Sequence, residues 1–207
     1  MGKMKDTILN PILKGNPITV LVLGICSSLA VTVELKGALV MALSVTIVTG
    51  LSSLVASLLR NTIPNRVRII IQLVIVALMV ILVDQFLKAF EATYAIDKQL
   101  SVYIGLIITN CIVMGRIEAY ALGNKPIPSL LDGLANGVGY GMILIIVAFF
   151  REILGSGTLF GLQIIPDALY TAGYVNNGLV ILPPFALILL GLIIWVHRSI
   201  DKDLQEK

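Results

Sequence analysis

"VYIGLIITNCIVM", residues 102–114, is apolar enough to enter a lipid bilayer and too short to cross it. A straight helical crossing needs about 20 residues, and this run has thirteen before Gly115 and Arg116 end it. A second run, "ITVLVLGICSSLAVTV" over 18–33, is short in the same way, at sixteen residues. Both are expected to be half-helices. Each carries one of the chain's two cysteines, followed shortly by a glutamate: Cys26 then Glu34, and Cys111 then Glu118.

Around these two runs lie four longer apolar stretches, at about 37–59, 67–88, 130–150 and 178–197. With the short pair at about 18–34 and 101–115, six segments are expected to enter the membrane. The composition agrees. Of 207 residues, 57% are hydrophobic and 13% charged, against about 25% charged in an average globular chain, and the mean hydropathy is +0.99. The class is an all-α membrane protein with the lipid bilayer as its solvent. The first fifteen residues, "MGKMKDTILNPILKG", hold no apolar core ahead of a small-residue cleavage site, so the first hydrophobic run is expected to act as the insertion signal. A net charge of +3 is spread without interleaved aromatics, which excludes a nucleic-acid module.

Lysine and arginine positions decide the orientation. Eleven (Lys3, Lys5, Lys14, Arg60, Arg66, Arg68, Arg116, Lys125, Arg198, Lys202, Lys207) fall on the side of the N-terminus, against four opposite (Lys36, Lys88, Lys98, Arg151). Both termini are therefore expected in the cytoplasm. Trp195 reads as an interfacial anchor, with His197 at headgroup level. Gly133, Gly137 and Gly141, spaced four apart, bare one face of the fifth span for close packing. Pro183 and Pro184 should break or kink the sixth. The connection over about 152–177, with "LGSGTLFG" and Pro166, is placed outside.

A 3+3 division accounts for the two short runs together. The chain is then one integral membrane domain, with repeat one at about 16–92, repeat two at about 99–198 and a short cytoplasmic tail at 199–207. Three spans separate the halves, so the second is inverted relative to the first, and interrupted helices at matching positions meet near the midplane. The two thiols would then face each other. Soft thiolates select iron–sulfur clusters, zinc or Cu(I), and a cluster usually takes four cysteines; with two and no C-x-x-C spacing, the remainder would come from another polypeptide. Two other readings of the cysteines stay open at this level: small buried hydrophobes, or a disulfide.

Five blocks add a resemblance: "NPITVLVLGICSSLAVT" (16–32), "NTIPNRVRIIIQLVIVALMVILVDQ" (61–85), "GLIITNCIVMGRIEAYAL" (105–122), "IPSLLDGLANGVGYG" (127–141) and "FFREILGSGTLFG" (149–161). They resemble the D-subunit family of the bacterial sodium-translocating NADH:quinone oxidoreductase, over most of the chain. The resemblance implies a multi-pass component of the bacterial inner membrane, within a six-subunit translocase, paired with the homologous, oppositely oriented E subunit. It further implies that the pair shares a [2Fe-2S] cluster, held on this chain by Cys26 and Cys111, which relays electrons during NADH oxidation, quinone reduction and Na+ export. No flavin-attachment or dinucleotide fingerprint is visible, so NADH, flavins and quinone are assigned to other subunits. The E-subunit family of the Rnf complex (ferredoxin:NAD electron transport) is the nearest related one and shares "TNCIV"; it tends to have a proline after its first cysteine, where this chain has Ser27 and Ser28. A non-redox inverted-repeat ion transporter remains the alternative of a different class.

No catalytic residue is expected on this chain itself. Gly24, Ser27, Thr109 and Asn110 flank the thiols and are expected to donate hydrogen bonds to sulfur, which tunes a cluster's potential. Intramembrane carboxylates mark ion paths by default, and Asp132 and Asp84 are the two candidates. The plainer alternative for each is an interfacial or capping residue, Asp132 sitting near a helix N-terminus after "PIPSLL", where negative charge is favourable. Arg116 and Glu118 read as end-of-span pairing.

Overall fold

The computed structural model of the chain describes residues 15–64, 66–94, 105–155, 157–159, 162–163 and 178–200. Expectations resting on residues 1–14, Lys98, 101–104, most of the connection before Gly178 and the tail after Ile200 lie outside these.

In chain order the helices are α1 (Ile25–Val31), α2 (Leu35–Leu59), α3 (Arg68–Tyr94), α4 (Cys111–Arg116), α5 (Pro126–Gly155), α6 (Gly178–Ile181) and α7 (Pro183–Ile200). Residues 105–108 form one more helical turn before α4. A π-helical turn, Ile117–Ala121, carries α4 onward. The described strands are a two-residue antiparallel pair, β1 (Thr158–Leu159) with β2 (Leu162–Gln163). Among the described residues, four helices are long and apolar enough to cross a membrane: α2, α3 over Arg68–Phe86, α5 and α7. Among the described residues the two cysteine-bearing segments contain no helix of that length.

The core is the α2–α5 pair. In each, 56% of the most apolar window is buried, against 22% in α3 and 11% in α7, so α3 and α7 form the periphery. Their outward side chains are apolar, among them Ile69, Val74, Ile81 and Phe86 on α3 and Ile188, Leu192 and Trp195 on α7. Patches of that extent suit lipid or a partner rather than water. Small residues bring α2 and α5 together. A Cβ at Gly133 would lie 2.8 Å from the Thr49 carbonyl oxygen, one at Gly137 2.5 Å from Thr46 Cα, and one at Gly141 3.0 Å from Ala42 Cβ. The glycine face is therefore a backbone-to-backbone contact, and the pairing 133–49, 137–46, 141–42 makes the two helices antiparallel. Gly50 on α2 completes it from the other side.

The double proline acts where expected. Helix α6 ends at Ile181 and α7 begins at Pro183, with Leu182 between them. Pro184 has no N–H for the carbonyl of Val180. Phe185 bonds to Leu182 instead of Ile181, at 3.2 Å, so two carbonyls at the end of α6 lack intrahelical partners.

At one end of the bundle Arg60 Nη1 and Ser57 Oγ both donate to the Asn124 carbonyl, at 2.7 and 2.6 Å. Arg68 pairs there with Glu118, and Arg198 donates to the Val20 carbonyl.

Candidate functional site

The first cysteine segment is not a continuous helix. Asn16 opens it: its Oδ1 accepts from the amides of Ile18 and Thr19 at 3.0 and 3.4 Å, and its Nδ2 donates to the Gly139 carbonyl at 3.0 Å. A short turn follows, closed by Val20 N to Asn16 O and Leu23 N to Pro17 O. The backbone then reverses hand, with φ of 57° at Val22 and 81° at Gly24. A β-branched residue in that region is strained by on the order of 1–3 kcal/mol, and Val22 adopts it while 45% exposed. Gly24 is enforced sterically, since a Cβ there would lie 2.6 Å from Ile112 Cδ1 and 3.1 Å from Tyr140 Cε2. Helix α1 starts immediately after, with Cys26 its second residue.

The second segment breaks at Thr109 and Asn110. Asn110 is extended, and its Oδ1 caps α4 by accepting from the Ile112 amide at 3.2 Å. Cys111 is the first residue of α4. Non-helical backbone at membrane depth is tolerated only where protein or a cavity satisfies it; Asn16, Ile18, Thr19, Gly24 and Asn110 are buried, while Leu21, Val22 and Thr109 are exposed on this chain.

These two helix starts are neighbours. Ser27, next to Cys26, receives a hydrogen bond from Asn110 Nδ2, next to Cys111, at 3.2 Å. Ser27 Oγ also lies 2.8 Å from Tyr140 Oη. The contacts Leu23–Gly115, Gly24–Ile112 and Ser27–Asn110 run in opposite chain directions, so the segments meet antiparallel. Tyr140 sits at the middle of the 30-residue α5, about 21 Å from either end at 1.5 Å per residue. Both thiols are free, and both are exposed on this chain. The disulfide reading is therefore not realised, and neither cysteine is buried within its own chain.

The side chains expected to reach sulfur are spent elsewhere. Ser27 Oγ donates to the Gly24 carbonyl at 3.0 Å and serves Asn110 and Tyr140. Thr109 Oγ1 donates to Leu106 O at 3.4 Å.

Both candidate carboxylates are paired. Asp132 is 3% exposed and takes two hydrogen bonds from Arg116, Nε to Oδ2 at 3.0 Å and Nη2 to Oδ1 at 2.5 Å. Asn136 Nδ2 adds a contact to Oδ1 at 3.2 Å. The capping alternative fails, because α5 begins at Pro126 and Asp132 lies beyond its first turn. Asp84 pairs with Lys88 one turn along α3, at 2.7 Å. Arg116 and Glu118 pair with neighbouring spans: Arg116 with Asp132 on α5, Glu118 with Arg68 and Gln72 on α3.

With this geometry in place, comparison with known proteins decides the family. The family model described as "Rnf-Nqr subunit, membrane protein" matches residues 4–194. The chain belongs to the Rnf-Nqr subunit family. Among curated relatives of this Rnf-Nqr chain, the D subunit of the Na(+)-translocating NADH-quinone reductase of Haemophilus influenzae is 56% identical over 203 residues, 98% of this chain and 97% of the relative. The protein of the same name from Aeromonas salmonicida is 57% identical over 200 residues, 97% and 94% respectively. The chain is thus a multi-pass membrane protein.

Three groups of this Rnf-Nqr protein were missed by sequence reasoning: Asn16, Tyr140, and the pair Arg151 and Glu152. Arg151, an outward-side charge by its position, is 1% exposed. Its guanidinium donates to the Leu29 carbonyl and Thr32 Oγ1 at the end of α1, at 3.2 and 2.5 Å. It also takes the carbonyls of Val180 and Ile181 at the end of α6, at 3.3 and 2.6 Å. Glu152 Oε2 accepts from the Leu35 amide at the start of α2, at 2.7 Å. The dipeptide thus fastens three helix ends at the far end of α5. A charged pair closing an apolar span is the one local feature that could have pointed to it.

The thiol pair fits a soft metal centre in donor type and incompleteness. No group of three or more His, Cys, Asp or Glu side chains able to hold a metal occurs among the described residues, so a four-thiolate centre at Cys26 and Cys111 needs ligands from outside the chain.

Proposed function

We propose that this chain is the D subunit of a Na+-translocating NADH-quinone reductase, and that Cys26 and Cys111 supply its half of a [2Fe-2S] cluster shared with the homologous E subunit. The carrying observation is that two free, outward-facing thiols begin two broken helices clamped to each other at the middle of α5. When bound, such a cluster supplies a one-electron carrier inside the bilayer. The chain's own residues position and insulate it: Gly24 lets the helix starts approach, Asn110 caps α4, and buried Ile18, Ile112, Val113 and Tyr140 exclude water behind the thiols. NADH, flavins and quinone are bound by other subunits of the six-subunit complex.

The antiparallel meeting of the two cysteine segments, and of α2 with α5, supports the six-segment 3+3 inverted repeat. The gathering of Arg60, Arg68, Arg116 and Arg198 at one end supports both termini in the cytoplasm, with the chain in the bacterial inner membrane. Ser27 and Ser28 after Cys26, and full-length relatives named as the D subunit, favour the quinone reductase over the Rnf relative. The test is an iron assay with visible spectroscopy on the chain copurified with its partners. Iron and a thiolate-to-iron absorption band are expected; an intact, iron-free complex would mean a non-redox transporter.

Both carboxylates are paired, Asp132 with Arg116 and Asp84 with Lys88, and Asp132 is the stronger ion-path candidate because it is the more deeply buried of the two. In our reading Asp132→Ala raises the sodium concentration for half-maximal turnover and leaves the cluster absorption intact. Unchanged sodium dependence in a stable complex would leave Asp132 only its bridge to Arg116.

A further inference from the structure

We propose that Tyr140 is a positioning residue for the two thiols. Through Ser27 and Asn110 its hydroxyl clamps the start of α1 to the start of α4 and so fixes how Cys26 and Cys111 stand relative to each other. The inference rests on the reading of these thiols as cluster ligands and names what holds them in register.

The contacts of Ser27 Oγ carry it. Ser27 has one hydroxyl proton and two acceptor lone pairs. Its oxygen lies 3.0 Å from the Gly24 carbonyl, accepts from Asn110 Nδ2 at 3.2 Å, and lies 2.8 Å from Tyr140 Oη, where either hydroxyl can donate. Three elements converge on that oxygen: α1, the break before α4, and the centre of α5.

Each arm lies one residue from a thiol. Ser27 follows Cys26 and Asn110 precedes Cys111, so sliding one half-helix past the other breaks the Ser27–Asn110 bond first. Tyr140 is 0% exposed, and its ring packs against Gly24. Packing alone would be served by phenylalanine. The hydroxyl is the added part, and a buried tyrosine hydroxyl deep in a membrane span requires a partner. The buried hydroxyl of Ser28, which has no partner among the described residues, provides the matched control on the same helix.

The test uses the intact complex. Tyr140→Phe keeps the ring and removes the hydroxyl. The expected result is retained iron, a broadened paramagnetic signal from the reduced cluster, and roughly fivefold to tenfold faster amide exchange over 24–31 and 110–117, the size of one lost buried hydrogen bond. Ser27→Ala should give the same changes, Ser27→Thr should restore them towards wild type, and Ser28→Ala should give none. Because both changes act through one oxygen, Tyr140→Phe with Ser27→Ala together should be no worse than the stronger single variant. Unaltered exchange in Tyr140→Phe, or strictly additive effects with Ser27→Ala, overturns the clamp. Exchange is read independently of iron. A wild-type complex without iron would overturn the cluster assignment alone, while the exchange result would still decide the clamp.

Discussion

Cys111→Ala should remove the cluster's iron from the intact complex and stop electron flow to quinone, and Cys26→Ala should do the same. The reason is the count of ligands. On the proposed reading this chain contributes two thiolates to a centre that usually takes four, and these are its only two cysteines. Losing a partner that merely orients a ligand typically costs 10–100-fold in metal affinity or activity. Loss of a ligand itself should exceed the upper end, so quinone reduction should fall by more than about 100-fold. Assembly should weaken too, since a bound centre stabilises only the state that holds it. Serine is a less clean substitution, because its alkoxide can stand in for a thiolate. Full iron content and normal quinone reduction in Cys111→Ala would put the thiols outside the redox path.

The largest stability effect should come from Arg151→Met. The substitution conserves much of the side-chain length and apolar bulk, but abandons the carbonyls of Leu29, Val180 and Ile181 together with Thr32 Oγ1. Each buried acceptor left unmet costs about 1–3 kcal/mol, so a loss on the order of 4 kcal/mol or more is expected. The Val180 carbonyl cannot recover, because Pro184 has no N–H to offer it. Arg151→Lys keeps the charge but not the planar fork that reaches two helix ends at once, and should fall between. Thermal unfolding of the purified complex, with the yield of assembled complex, reads the effect. A variant Arg151→Met that assembles and melts like wild type would show that these helix ends are held by other means.

Features carried by neighbouring residues were legible in the sequence. The two interrupted segments follow from run length, the glycine face from a spacing of four, and the break at Leu182 from two prolines that lack N–H groups. Cys26 and Cys111 could be paired by their matching positions alone. What escaped depends on contacts far apart in the chain: Asn16 to Gly139 spans 123 residues, Ser27 to Tyr140 113, and Thr32 to Arg151 119. Nothing in the local pattern around Tyr140 separates it from an ordinary aromatic on a packed face. Arg151 misleads because position at the end of an apolar run signals the interface, whereas the freed carbonyls of two broken helices draw it inward. The capping expectation for Asp132 fails over where α5 begins. Pro126 occupies the first helical position, where its fixed φ and missing N–H cost nothing, and "KPIPS" was the available signal.

Iron-edge anomalous scattering from crystals of the intact complex would show whether the two thiols are half of an iron–sulfur site. We expect an iron peak bonded to the Sγ atoms of both Cys26 and Cys111, with the remaining ligands on the partner protein. An intact complex with no iron signal at either sulfur would contradict the account.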